Sequence, residues 1–98
     1  MSNLTKKQLI EIKNTLLALI DMHGHHLDQD SQDAVSHYIT HEEYEMAFEG
    51  FFLEMINKKV NSSKFLVYVD LGKNLGLDKE SVFDGDFWNK FSIWIEST

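Results

Sequence analysis

Apolar residues recur at offsets of three and four along most of this chain, the period that gathers them on one face of a helix. The stretch from Thr40 to Lys59 shows it best, with Tyr44, Ala47, Phe48, Phe51, Phe52, Met55 and Ile56 forming one stripe. Thr40 and Glu43 fit a capping box at its start, where each side chain accepts from an otherwise unpaired backbone N–H. Glu42, Glu43 and Glu45 at one end and Lys58 and Lys59 at the other suit the helix macrodipole. The pattern therefore predicts a central helix over 40–59. An earlier stripe of Leu9, Ile12, Leu16, Leu19 and Ile20 predicts a helix over 5–22. Thr5 and Gln8 form its capping box, Leu4 is placed to staple against Leu9, and Gly24 is its stop. Ile10 and Leu17 widen this stripe, so the helix is expected to be buried on more than one side.

The polar run 23–33 reads as a loop. Ala34, Val35, Tyr38 and Ile39 then fit a short helix ending near Thr40. Asn61, Ser62 and Ser63 break the central helix and are placed to cap the next one. Residues 64–76 mix strand-forming residues with helical spacing. A lone strand would leave its backbone groups unpaired, so helix is the preferred reading. Asp78 is placed to cap a short turn through Val82 and Phe83. Gly85 and Asp86 open a last helix carrying Phe87, Trp88, Phe91, Trp94 and Ile95. The expected fold is all-α, a single domain over 1–98 built as a small bundle of four to five helices.

Composition narrows the function classes. A chain of 98 residues with 43% apolar content holds one modest core. It contains no run of about 20 apolar residues and no signal-peptide h-region at MSNLTKKQL, which points to a cytoplasmic protein that does not engage a membrane. Absence of Cys excludes a disulfide framework and a thiol nucleophile. All nine basic residues are Lys. Without Arg forks or a basic face, direct binding of nucleic acid is not expected.

Charge carries more. The net charge is −7, and no Lys occurs between Lys13 and Lys58. That window holds nine of the sixteen acids, among them Asp28, Asp30, Asp33, Glu42, Glu43, Glu45 and Glu49. On a continuous helix Glu42, Glu45 and Glu49 would share one side, rimming the apolar stripe. Like charges so placed repel by a few tenths of a kcal/mol per pair (about 0.2–0.5), a repulsion that a Lys- or Arg-bearing partner relieves. Glu42, Glu43, Glu45 and Glu49 are the leading docking candidates, with Asp28, Asp30, Asp33 and Tyr44 behind them. A merely solvated outer face is the plainer reading of the same charges.

Other chemistry is thinner. His23, His25 and His26 cluster, and His37 and His41 stand four apart, but no H-E-x-x-H pattern accompanies them. Glu45 with Glu49, or Asp84 with Asp86, are carboxylate pairs with no nucleophile or phosphate-cradling loop beside them. The chain is accordingly read as non-enzymatic and without a cofactor. A metal-binding or small enzymatic domain using the histidines and carboxylates is the alternative, and an acidic adaptor for a basic host protein is another. Most aromatics are core by spacing. Two Trp are hard to bury in so small a bundle, so Trp88, Trp94, Tyr38 or Tyr44 is a candidate exposed anchor.

The stretch VSHYITHEEYEMAFEGFFLEMI (35–56) resembles the signature region of small bacterial immunity proteins of the MafI type, which accompany polymorphic and contact-dependent growth-inhibition toxins. The matching residues are His37, Tyr38, Glu43, Tyr44, Glu45, Ala47 and Glu49, and LGLDKESVFDGDFWNKF (75–91) looks like the end of such proteins. The resemblance covers about half the chain. It implies a small helical protein that binds and neutralises a cognate toxin domain. Toxins in this family are often nucleases, whose substrate grooves are basic.

Overall fold

The computed structural model describes residues 4–97. Five α-helices succeed one another along the chain: α1 (Lys6–His23), α2 (Gln29–Thr40), α3 (Tyr44–Asn57), α4 (Val69–Asn74) and α5 (Phe87–Glu96). A short 3-10 turn at Gly24–His26 comes after α1, and another at Leu66–Tyr68 precedes α4. No strand occurs among the described residues, and none of their helices is long and apolar enough to cross a membrane. The all-α expectation holds, and within 64–76 residues 66–74 are helical, divided between a 3-10 turn and α4.

Helix α3 is the centre. It packs against α1, α2 and α5. Ala47, Phe48, Phe51, Phe52 and Met55 are fully buried along it. Phe52 meets Phe65, Phe91 and Trp94 at centroid distances of 5.9, 5.1 and 5.9 Å, so one phenyl ring ties α3 to α5 and to the segment before α4. Such offset and edge contacts stabilise beyond their buried area. Trp94 is a core residue whose indole N–H donates to the Val60 carbonyl at 2.7 Å, and Trp88 and Tyr38 are half-buried.

Helix ends decide where the elements stop. The Thr5–Gln8 capping box forms as expected, with bonds of 3.1 and 2.8 Å. The Thr40–Glu43 box does not. Thr40 is the last residue of α2, and its hydroxyl donates back to the Ser36 carbonyl at 3.0 Å. The predicted helix over 40–59 is thus the end of α2, a tight turn at 41–43, and α3. At α2, α3 and α4 the chain closes with the same pair of backbone bonds, the Schellman arrangement that satisfies the last carbonyls. Glu43 N–H reaches Tyr38 O while Glu42 N–H reaches Ile39 O; Val60 N–H reaches Met55 O while Lys59 N–H reaches Ile56 O; Leu77 N–H reaches Gly72 O while Gly76 N–H reaches Lys73 O.

This motif needs a left-handed residue, and only Gly76 (φ +80°) fills it with glycine. Glu42 (φ 61°) and Lys59 (φ 56°) hold the same conformation with a side chain attached. Left-handed backbone costs a non-glycine residue about 1–2 kcal/mol, partly offset because glycine loses more entropy on folding. Lys59→Gly is therefore expected to raise stability by about 0.5–1 kcal/mol, read as a higher urea midpoint at unchanged m-value.

Two further expectations change. Helix α2 begins at Gln29, inside the predicted loop, because Asp28 caps it by accepting from the Ser31 N–H at 2.9 Å. Helix α1 is buried on one side only: Ile12, Leu16 and Leu19 face the core while Leu9, Ile10 and Leu17 are exposed. Leu4 packs against the core, but the exposed Leu9 is not part of it.

Candidate protein-interaction face

The turn between α2 and α3 projects carboxylates because its backbone is used inward. Glu42 and Glu43 spend their N–H groups closing α2, and their side chains are exposed, as is that of Glu45 in the first turn of α3. Among the described residues the one ion pair within 4 Å is Lys90–Asp84, so none of these three glutamates is neutralised by direct contact. Glu42 does share an open groove of about 380 Å³ with Lys6 and Lys13 of α1, which lowers its local excess of negative charge. Tyr44 lines that groove too, yet it is only 6% exposed. Burial first, then the Glu42 carboxylate, push its phenol above the ordinary tyrosine range. Tyr44 is a core residue rather than an exposed anchor.

The acidic window is not one surface. Asp28 is committed to capping α2, and hydrogen bonds from Ser31 hold its carboxyl below the usual range. Asp33 accepts from the Gln29 amide at 2.8 Å, and Asp30 is exposed in the first turn of α2. These three lie toward the start of α2, whereas Glu42 lies past its end. A 12-residue helix spans about 18 Å.

Glu49 corrects the sequence reading most sharply. Its side chain is fully buried (0% exposed), so it is not a docking charge. The carboxylate faces the loop before α5 and accepts three backbone N–H bonds: Val82 to Oε1 at 2.8 Å, and Phe83 and Asp84 to Oε2 at 2.7 and 2.8 Å. Hydrogen bonds to a charged acceptor are roughly twice as strong as neutral ones, and an unpaired buried carboxylate would be prohibitive. The three donors make this burial tolerable and fix the loop against α3.

The loop so fixed turns apolar side chains outward. Val82 is 46% exposed and Phe83 48%. Phe83 lies over Gly50 of α3, where an added Cβ would meet its ring at 3.7 Å and the Tyr38 ring at 3.8 Å. The Tyr38 and Phe83 rings are 5.9 Å apart. The Tyr38 carbonyl accepts the Glu43 N–H, so the Tyr38 main chain adjoins the glutamate turn. Glu45 is exposed one helical turn before Glu49 on α3. Tyr38 is legible in the sequence as an anchor candidate. Phe83 is legible only as part of a turn, because a lone Phe in a polar loop carries no periodic signal.

The remaining candidates have structural duties or no partner set. Asp84 accepts from Lys90 Nζ at 2.6 Å and from the Asp86 N–H at 2.9 Å, while Asp86 accepts from the Asn89 amide. The Lys90 bond, then the Asp86 bond, hold the Asp84 carboxyl below its usual range. Together these bonds organise the start of α5. Glu45–Glu49 is no pair, with Glu49 enclosed. The His37 and His41 rings sit 4.2 Å apart, but no group of three or more His, Asp or Glu among the described residues is disposed to hold a metal ion. Compared with protein-family models, curated proteins and solved structures, the chain matches none.

Proposed function

We propose that this chain is a non-enzymatic binding protein that docks a basic protein domain on the face formed by Glu43, Glu45, Tyr38, Val82 and Phe83. The observation that supports it is the buried Glu49 carboxylate holding in place a loop whose own side chains are exposed. A fully buried charge is an expensive way to fix a surface loop, and a pre-fixed loop loses little entropy when a partner covers it. The exposed aromatic supplies an anchor that slows dissociation, and the unpaired glutamates steer a cationic partner.

The partner class rests on the resemblance of residues 35–56 to MafI-type and contact-dependent inhibition immunity proteins. On that reading the chain neutralises a cognate bacterial toxin, a basic nuclease domain, in the cytoplasm. Glu42 fits the same picture, since an exposed carboxylate stands at a left-handed position that glycine would occupy with less strain.

The test uses a toxin domain encoded immediately upstream, co-expressed and co-purified with this chain. Phe83→Ala is expected to weaken binding about 30-fold, as a central aromatic anchor does. Glu43→Lys with Glu45→Lys is expected to slow association about tenfold at low salt, with the difference shrinking as salt rises. Neither change touches a fully buried side chain, so both variants should stay folded with a modestly lowered melting temperature, from the lost Phe83–Tyr38 contact and the lost helix-terminus charge respectively. Full protection by the triple variant would remove this face from the site. Glu42→Gly adds a sharper arm, because it should raise stability while lowering affinity.

A further inference from the structure

The opposite end of α3 has the reverse charge character. The 3-10 turn after α1 and the loop after α3 enclose an open groove of about 660 Å³, lined by Met22, His23, His25, His26, Lys64 and Phe65, with Val60, Asn61 and Ser63 completing it. A volume of that size is ordinary for a small-molecule site. Its apolar part is the buried Phe65, against whose ring His23 packs edge-on at 4.6 Å, with the half-buried Val60 and, at the edge, the exposed Met22. Its rim is made of basic groups from three segments. His23 comes from α1, His25 and His26 from the 3-10 turn with their rings 4.1 Å apart, and Lys64 from the loop after α3. Asp28 and Lys58, at the adjoining ends of α2 and α3, lie close enough to attract one another. In a chain of net charge −7, this concentration of nitrogen bases is a local reversal.

We propose that this groove binds a small molecule carrying a phosphate group, with the phosphate anion held by His25, His26 and Lys64 and an apolar portion lying on Met22, Val60 and Phe65. A tetrahedral phosphate takes donors from several directions, and the 3-10 turn (His25, His26) and the loop after α3 (Lys64) supply them from two sides. A planar carboxylate, which has two oxygens, uses fewer of them. The Asn61 Oδ1 is already accepting the Ser63 N–H at 2.8 Å, which leaves its amide N–H₂ as the group to donate. Burial first, then repulsion among the histidines and from Lys64, hold His23 and His26 below the usual histidine range. An anion reverses that repulsion, so binding is coupled to proton uptake and weakens as pH rises through the histidine range. The groove lies at the far end of the 14-residue α3, about 21 Å from the glutamate turn, and does not depend on the docking face.

The experiment is an NMR titration of the full chain, following the imidazole resonances and the amides of 60–65, with inorganic phosphate, methyl phosphate, phenyl phosphate, sulfate and acetate at matched ionic strength. At pH 6 phosphate should give saturable shifts with a Kd on the order of 1–10 mM. Phenyl phosphate should bind at least about threefold tighter than methyl phosphate, a monoester of similar ionisation, through the apolar floor. Acetate should give only small, non-saturating shifts. Sulfate, a tetrahedral dianion whose charge is constant over this range, serves for the pH arm, and raising the pH from 6 to 8 should weaken it about tenfold. The exposed side chains of Lys64 and His25 allow Lys64→Gln and His25→Asn, each expected to weaken binding at least about threefold with unchanged circular dichroism. Shifts that are linear in phosphate, equal for acetate, or indifferent to both substitutions would overturn the site and leave these groups as complements to the helix C-termini. Equal affinity for methyl and phenyl phosphate would overturn the role given to the apolar floor.

Discussion

Replacing Glu49 by Ala is expected to destabilise the protein by about 3–4 kcal/mol. The substitution removes one fully buried carboxylate and strands three backbone donors, those of Val82, Phe83 and Asp84. Each bond to a charged acceptor is worth about 1.5–3 kcal/mol net, and an unsatisfied buried donor costs about 1–3. The sum is reduced because the loop is only partly buried and can rehydrate by peeling away. At about 4–8 °C per kcal/mol for a domain of this size, the melting temperature should fall by well over 10 °C. Glu49→Gln should cost about 2 kcal/mol despite its matching shape, because both carboxylate oxygens accept and one would become an N–H₂ group facing an N–H. Amide exchange at 82–84 should lose its protection in both variants before the rest of the chain does. A loss below about 1 kcal/mol for Glu49→Ala would show that the loop is held by its side chains instead. Because Glu49 holds Phe83 in place, the same substitution should also weaken partner binding without touching the docking face.

Gly72→Ala is the second large effect, expected to cost about 2 kcal/mol. A Cβ at Gly72 would lie 2.7 and 2.9 Å from Trp88 Cζ3 and Cη2 and 3.0 Å from Phe48 Cζ. The first two distances are shorter than real Cβ contacts allow, so Trp88 must move or α4 must lift. Phe48 cannot retreat, since it is fully buried between Phe52, Phe87 and Phe91 at centroid distances of 4.7, 6.3 and 5.6 Å. Overpacking of this kind costs about 1–3 kcal/mol. The intrinsic helix preference for Ala over Gly, about 1 kcal/mol, works the other way. The sign of the measured change therefore decides between packing and propensity. Chemical denaturation monitored by Trp fluorescence reads both, because Trp88 is the residue displaced. A stabilised variant with unchanged fluorescence would show that α4 adjusts freely.

The two strained turns connect stability with function. Lys59 and Glu42 occupy the same Schellman position, so substitution by glycine should help folding at both. Glu42 borders the proposed docking face and Lys59 does not. Only Glu42→Gly should lower partner affinity, and that difference separates a functional carboxylate from an incidental one.

Much of the architecture is already present in the order of residues. The three-and-four spacing of Phe48, Phe51, Phe52 and Met55 fixes a central helix, because only a helix gathers those positions into one packed stripe. The Thr5–Gln8 box and the aromatic spacing of α5 likewise need only local geometry. Helix ends are less legible, since Glu42 and Lys59 stand where glycine would have marked the turn. Ile10 and Leu17 resemble core positions because spacing tells which residues share a face, not whether a neighbour covers it. The role of Glu49 lies wholly beyond the sequence. A glutamate at helical spacing from two others reads as surface charge, and its three hydrogen-bond donors lie 33 to 35 residues away. Only the packing of the loop before α5 against α3 brings them together. Local periodicity determined the helices and their inner faces; the tertiary fold decided which charges reach water and which one is spent holding the chain together.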